Sequence, residues 1–394
     1  MKRILLAAFF ISNILYSQEK IIDTVQGTKQ DLYEVIVKGI RAKFSSPISY
    51  SNIYKEKLKN KNLGQDLPIL LNFLPSVVTT SDAGAGIGYT GIRVRGVSPQ
   101  STNITINGIP FNDPESMGTF WVNLPDFTSS VQSLQLQRGI GTSTNGSGAF
   151  GASINILTDN ISQTPYAEIS SSFGSFNTRK NTIKFSTGKI NDVFEFSGRF
   201  SKIDSDGYVD RAFSDLKSYF IQGTYLKGST LIKAISFAGH EKTYQSWYGL
   251  TMDQLKENRR QNPYTYENEI DNYKQDHYQL HWNEKINNFW SFNLGLNYTY
   301  GRGYFEQYRE DDNIDTYGGI VSSDTNLNGE KTDTTDLIRR RWLDNDFYVF
   351  NSSLNFIKNK IDLTISSSYS SYVGDHFGEV IWARTFSSNG KIRD

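Results

Sequence analysis

The second half of the chain alternates between apolar and polar side chains with a period of two residues. In one clear case Phe194, Phe196 and Phe200 alternate with Glu195 and Arg199. This period places apolar groups on one face of a β-strand and polar groups on the other, as in a wall between lipid and a wet interior. A water-soluble sandwich alternates in the same way. The pattern predicts strands at 166–174, 178–187, 192–202, 217–227, 229–239, 273–285, 289–301, 346–357 and 361–373.

The connections between these strands favour a barrel. Short turns are predicted at 188–191, 228, 286–288 and 358–360, and long connections at 203–216, 240–272 and 302–345. Short and long connections therefore alternate, which is typical of a barrel with brief turns on one side and large loops on the other. We expect an antiparallel transmembrane β-barrel over residues 161–394.

The region 46–160 predicts a separate α+β domain. Leucines recur at helical spacing over Leu63–Leu74, where Asp66 is placed to cap a helix and Pro68 lies in its first turn. Loops rich in Gly, Ser, Asp and Pro follow. They connect predicted short strands at 92–95, 103–106, 131–137 and 153–157.

The N-terminus predicts export. Lys2 and Arg3 precede a short apolar run, Ile4–Ile11, and residues 1–17 read as a cleaved signal peptide. Residues 18–45 are polar, apart from Tyr33–Lys38. This β-branched segment is suited to pairing with the edge of another protein's sheet.

Composition argues against several function classes. The chain has 41 Lys and Arg and 41 Asp and Glu, so no global charge favours nucleic acid as a partner. It has no cysteine and only 4 histidines. His277 and His281 lie on one predicted strand, about 13 Å apart, which is too far for one ion. The sequence predicts no catalytic residue, no metal site and no cofactor.

Glycine-containing phrases between residues 74 and 158 carry a family resemblance. They are Ile92-Arg-Val-Arg-Gly96, Ile106-Asn-Gly-Ile-Pro110, Leu136-Gln-Arg-Gly139, Asn145-Gly-Ser-Gly-Ala-Phe-Gly151 and Ile154-Asn-Ile-Leu-Thr158. In this order they closely resemble the plug domain of TonB-dependent outer-membrane receptors. Asn107 departs from the family, which usually has an acidic residue there.

The resemblance implies a plug inside a barrel in the outer membrane of a Gram-negative bacterium, surrounded by lipid and lipopolysaccharide. It implies that 18–45 is periplasmic and that the energy-coupling protein TonB pulls on a TonB box formed by Tyr33, Glu34, Val35, Ile36 and Val37. It also implies that Arg95 and Arg138 hold the plug by pairing with barrel glutamates, of which Glu195 is one conceivable partner.

The number of strands is small for a plugged barrel. A plug of about 110 residues requires about 22 strands around it. The alternating region supplies about nine or ten. We therefore expect the chain to be C-terminally truncated, with only the N-terminal part of the barrel.

Ligand contacts are expected in outward-facing loops that mix aromatic rings and carboxylates. The candidates are Tyr89, Asp113, Glu115, Met117, Phe120, Trp121, Trp247 and Tyr248. Arg339–Arg341 are placed to attract an anionic ferric chelate. Alternatively, the aromatic residues form an interfacial girdle and the arginines contact lipopolysaccharide or water.

These features predict a non-enzymatic receptor that imports a scarce, bulky solute such as a ferric siderophore, haem or a cobalamin-type chelate. Three alternatives stay open: an importer of oligosaccharide or peptide with the same architecture, a passive adhesin, and a non-functional truncated remnant. An outer-membrane enzyme would need a Ser/His/Asp set at the lumen edge or in the loops.

Overall fold

The structure is a computed structural model that describes residues 41–44, 46–140, 150–318, 323–325 and 328–385. The expected signal peptide, 1–17, and the expected TonB box, Tyr33–Val37, lie outside the described residues.

A five-stranded mixed sheet forms the centre of the first domain. Numbered in chain order, its strands are β1 (Ser49–Tyr54), β4 (Thr102–Ile106), β5 (Ile109–Pro110), β6 (Val131–Arg138) and β7 (Ala152–Thr158). Their order in the sheet is β1-β6-β7-β4-β5, and only the β4–β7 pair is parallel. A separate antiparallel pair consists of β2 (Val77–Ser81) and β3 (Thr90–Val94). The predicted α+β domain is present, with its four predicted strands.

The helices of this domain are shorter than predicted. They are α1 (Lys55–Lys59), α2 (Leu67–Leu70) and three 3-10 segments, Pro99–Ser101, Trp121–Asn123 and Phe127–Ser130. The helix predicted over Leu63–Leu74 is therefore wrong in extent, because the chain tightens into turns after Leu71 and Pro75 disfavours a helical residue before it. Asp66 stands at the N-cap position of α2, but its side chain makes no capping bond there.

The apolar core of the first domain extends into the second. Ile104, Leu134 and Ile154 are fully buried and belong to one cluster with Trp121. Phe220, Ile235 and Phe237 of the second domain pack into the same cluster. The two domains therefore share one core, which positions the first domain firmly against the sheet of the second.

The second domain is one nine-stranded antiparallel sheet in which chain neighbours are sheet neighbours throughout. Its strands are β8 (Tyr166–Phe173), β9 (Arg179–Ser186), β10 (Phe194–Ser205), β11 (Ser214–Lys227), β12 (Thr230–Tyr244), β13 (Ile270–Lys285), β14 (Trp290–Asn313), β17 (Thr334–Lys358) and β18 (Ile361–Ala383). Within the described residues β8 and β18 are the two edges, so the sheet is open.

All nine predicted strands are present, but the long connections are shorter than predicted. The predicted loop 302–345 is wrong at both flanks, because β14 continues to Asn313 and β17 begins at Thr334. These flanks mix polar residues with apolar ones such as Phe305 and Leu337 and show no regular alternation, since a strand outside the apolar band of a membrane needs no apolar face. The connection 174–178, on the same side as the long ones, is short.

The face of the sheet that carries polar residues is covered by the first domain. Arg199 is 1% exposed and Glu195 is 3% exposed, whereas their neighbour Phe194 is 52% exposed on the opposite face. The alternation therefore assigns the two faces correctly. The polar face is not wet along these strands, because the first domain packs directly against it.

The remaining elements lie in the long connections. They are α3 (Met252–Glu257), a 3-10 segment (Ile314–Tyr317), and the short pair β15 (Asp324–Thr325) and β16 (Lys331–Thr332). Thr251 and Gln254 form a capping box at the start of α3. Among the described helices, none has the length and apolarity needed to cross a membrane.

Candidate functional site: a plug anchor and an outward pocket

Asp126 of the first domain is the centre of a buried ionic cluster. Its carboxylate lies 2.7 Å from Lys180 Nζ and 3.4 Å from Arg199 Nη1, both from the large sheet. It also accepts hydrogen bonds from Ser201 Oγ at 2.6 Å and Thr182 Oγ1 at 2.7 Å. Because Asp126 adopts a left-handed backbone conformation (φ 51°) between two 3-10 segments, its side chain is aimed at the sheet.

Asp159 forms a second cluster at the end of β7. Its carboxylate contacts Lys184 of the sheet and lies 2.7 Å from Lys55 Nζ of the first domain. Its backbone carbonyl accepts from Gln222 Nε2 at 3.2 Å and from Lys233 Nζ at 3.1 Å. Each contact except that of Lys55 joins the two domains, so Asp159 is a second attachment point.

Both anchor carboxylates are held in the ionised form. Burial alone would raise the pKa of Asp126, but the positive charges of Arg199 and Lys180 outweigh it and the pKa lies below its usual value. The same balance, with Lys184 and then Lys55 as the opposing charges, lowers the pKa of Asp159. A buried carboxylate that is ionised and fully hydrogen-bonded is strongly fixed in place.

The predicted arginines are placed differently. Arg138 donates to Pro75 O and Ser51 Oγ, both 3.0 Å away and both in its own domain. Glu195 accepts from Ser186 Oγ and Ser162 N, and within the described residues it makes no ion pair with Arg138. Arg95 is exposed, with a positive φ of 55°. In the ion pairs of Asp126 and Asp159, the first domain supplies the carboxylates and the sheet supplies the basic side chains. The predicted pairs had the charges the other way round.

An open pocket lies between the loop 110–123 and the ends of the strands that adjoin the long connections. It encloses about 1140 Å³ of empty space, including its mouth. Glu241 near the end of β12 and Asp271 near the start of β13 line it from the sheet. The enclosed part of the cavity is about 200 Å³. This is less than the ~300–1,000 Å³ of a pocket for a drug-sized ligand, so the pocket has room for only part of a bulky solute.

Carboxylates and phenols meet at the base of this pocket. Tyr89 donates its hydroxyl proton to Asp271, and its ring lies 5.4 Å from that of Trp247. Glu241 is 1% exposed and accepts from Thr243. Behind the pocket, burial raises the pKa of Asp66 to about 8, although Thr90 Oγ1 and the Gly88 amide partly offset the shift.

The pocket brings together half of the predicted ligand residues. Tyr89, Asp113, Glu115 and Phe120 line it. Trp247 contacts the rings of Tyr89 and Phe305 at its edge. Met117 is exposed and outside the lining, and Tyr248 packs on Tyr264 in the long connection. Trp121 is 3% exposed in the shared core and lies outside the lining of this pocket, so its part in ligand binding stays a prediction.

Several lining residues were not expected from the sequence. Phe111, Tyr273, His277, Tyr304 and Asn345 line the pocket. Tyr273, His277 and Asn345 lie on the inner face of the sheet. The alternation combined with the position of the long connections would have found these three residues. His277 stacks on Phe237 at 4.4 Å and bonds to Thr299. Among the described residues no cluster of three His, Asp or Glu is arranged to hold a metal ion.

Residues 42–153 match the family model described as TonB-dependent Receptor Plug Domain. The chain carries the plug of a TonB-dependent receptor. The first domain, which contains the matched residues, is called the plug from here on.

Known relatives support the same architecture. The chain is 24% identical over 190 residues to a protein of Acinetobacter baumannii named probable TonB-dependent siderophore receptor PirA. The fold is similar to that of the ferric citrate transporter FecA (TM-score 0.62, 15% identity) and of the ferric-catecholate import receptor Fiu from E. coli K12 (TM-score 0.62, 13% identity).

The coverage of these matches is unequal. The match to PirA covers 46% of this chain and 23% of that protein. The superpositions cover 89% of this chain and 51% of FecA, and 88% of this chain and 51% of Fiu. The chain therefore spans about half the length of the solved receptors.

Proposed function

We propose that this protein is an outer-membrane receptor that imports a metal chelate, such as a ferric siderophore, haem or a cobalamin-type complex. The observation that carries the proposal is the open pocket where the plug loop 110–123 meets the strand ends beside the long connections. Relatives whose names refer to siderophores, ferric citrate and ferric catecholates support the choice of a chelate.

The proposed domain limits are a cleaved signal peptide at 1–17, a periplasmic segment at 18–45, a plug at 46–160 and barrel strands from 161 onward. In the proposed orientation the long connections face outward. Apolar side chains exposed on the outer face of the sheet, such as Phe194, Phe196 and Leu363, would contact lipid acyl chains. Residues near the outer strand ends would contact lipopolysaccharide.

Transport in this proposal requires movement and no chemistry on the solute. The solute binds in the pocket, and TonB pulls on the TonB box, Tyr33–Val37, from the periplasm. The pull must break the contacts of Asp126 and Asp159 with the sheet, because these ion pairs hold the plug across the lumen. Arg95 and Arg138 remain proposed contributors to plug attachment.

The test is replacement of Glu34–Val37 by a Gly/Ser segment of equal length in the native receptor. We expect loss of energised uptake of an iron-loaded chelate while binding to the cell surface is retained. The matched control replaces four residues of the polar segment 18–32. Unchanged uptake in the Glu34–Val37 variant would contradict the proposal, and a passive adhesin would show binding with no uptake in any variant.

A further inference from the structure

The lining of the pocket combines carboxylates and aromatic rings with uncharged polar side chains. Its carboxylates are Asp113, Glu115, Glu241 and Asp271. Its rings include those of Tyr89, Phe111, Phe120, Tyr273, Tyr304 and Tyr372. None of the described residues that line it is a lysine or an arginine. A surface of carboxylates and aromatic faces attracts cations and repels anions.

Two buried acceptors in the same lining have no partner. The side-chain oxygens of Asn123 and Asn345 make no hydrogen bond within the described structure. Asn123 is 5% exposed and Asn345 is 8% exposed, and they line the pocket from the plug and from β17 respectively. A buried acceptor without a partner destabilises the structure that holds it. This loss of stability is recovered when a ligand supplies an N–H or O–H donor.

The basic side chains near the pocket already have partners. Arg340 pairs with Glu306 at 2.8 Å and lies over the Tyr304 ring, 4.3 Å from its centre, and Arg341 lies over the Phe305 ring, 5.8 Å from its centre. Arg339 donates to Gln307 and Tyr317. His376 is the one described basic side chain seen in contact with a lining carboxylate, Glu115, at 3.0 Å, and this contact is solvent-exposed. The arginines expected to attract an anionic chelate therefore do not face the pocket.

We propose that the solute presents a positively charged group with N–H donors, an ammonium or a guanidinium, to this pocket. The inference rests on the proposed import function and narrows it to chelates with an exposed cationic arm. The cation lies between the carboxylates of Asp113, Glu115 and Asp271, with aromatic faces around it. Its N–H groups reach the free oxygens of Asn123 and Asn345.

The experiment compares matched probes on the native receptor purified from outer membranes. The first probe is a ferric trihydroxamate with a free terminal ammonium, and the second is the same chelate with that amine acetylated. The third is a ferric tris-catecholate, which is an anion. Binding is measured by titration calorimetry. We expect the ammonium chelate to bind about tenfold more tightly than its acetylated form.

Two conservative substitutions test whether the preference for the ammonium chelate arises from the carboxylates of the pocket. Asp113→Asn keeps an oxygen for the loop amides of Glu115 and Ser116, which Asp113 now caps, so the loop fold is preserved. Combined with Glu115→Gln, it is expected to reduce the preference for the ammonium chelate to about threefold or less. The control is Asp253→Asn, whose carboxylate is exposed on α3 outside the pocket. It should leave the preference unchanged.

The outcomes separate the two proposals. Equal binding of the free and acetylated chelates, tightest binding of the tris-catecholate, or no binding of any probe would overturn the cationic preference. If the ammonium chelate binds preferentially but is not taken up by energised cells, the pocket assignment stands and the import function fails. If the tris-catecholate is imported with energy, the import function stands and the cationic preference fails.

Discussion

The contact between the plug and the sheet has carboxylates at two levels, and they are used in opposite ways. At the anchor, Asp126 and Asp159 face lysines and an arginine of the sheet, and their charges are matched in a dry environment. At the pocket, Asp113 accepts hydrogen bonds from loop amides and Asp271 accepts one from the Tyr89 hydroxyl, with no lysine or arginine among the described lining residues. The same residue type therefore fixes the plug at one level. At the other level it lines the pocket in which we propose that the solute binds.

Burial, and not distance, decides how strongly each ion pair contributes. Lys43 and Asp362 approach to 2.6 Å, but their side chains are 46% and 50% exposed. Lys180 and Asp126 lie 2.7 Å apart with side chains only 4% and 0% exposed. Water screens the first pair, whereas removing one partner of the second leaves a charge buried without compensation.

The largest predicted effect follows from Asp126→Asn. The change preserves shape but leaves Arg199 and Lys180 buried without a counter-charge, so we expect the plug to lose about 3–5 kcal/mol of local stability. Hydrogen exchange of the β6 and β7 amides, followed by mass spectrometry, measures this loss. The exposed change Asp253→Asn is the control. Exchange rates equal to those of the control would contradict the proposed anchor.

Plug stability measured as a function of pH distinguishes the anchor carboxylates, Asp126 and Asp159, from Asp66. The lowered pKa values of Asp126 and Asp159 mean that their stabilisation is present above about pH 4 and is lost as the pH falls below that value. The pKa of Asp66 is raised to about 8, so the plug loses stability as the pH rises from about 4 to 8. The slope is at most about 1.4 kcal/mol per pH unit.

The variant that isolates this slope is Asp66→Asn, which keeps an acceptor for Thr90 Oγ1. We expect the decline of plug stability between pH 5 and pH 8 to disappear in the variant, again by hydrogen exchange. A decline that persists at the same slope would show that another group titrates. The acid-side loss below pH 4 should remain in this variant, because Asp126 and Asp159 are unchanged.

The smallest effect is expected for Asp362→Asn. This change removes the exposed pair with Lys43, which joins the segment just before the plug to the sheet. We predict a change of about 0–1 kcal/mol in plug stability, reduced further by added salt. A loss as large as that of Asp126→Asn would show that burial does not separate the two classes of contact.

The sequence predicts what depends on local pattern. The period-two alternation around Phe194 and Arg199 gave both the strand and the face that turns inward. The anchor was missed because it depends on the left-handed turn at Asp126 and on the register of β9 and β10. That register pairs Thr182 with Ser201 and leaves Lys180 and Arg199 on opposite sides of this pair. Neither feature is visible in a single segment. The burial of Trp121 was not expected because loop composition does not reveal which way a 3-10 turn points its side chain.

The most direct test of the account is a double-mutant cycle between Asp126→Asn and Lys180→Met, with plug stability measured by hydrogen exchange of β6. If buried charge matching fixes the plug, the two changes should be coupled by about 2 kcal/mol or more. The same cycle at Glu115 and His376, beside the pocket, should give a coupling of less than about 1 kcal/mol. Additive effects at Asp126 and Lys180 would contradict the claim that this ionic cluster anchors the plug.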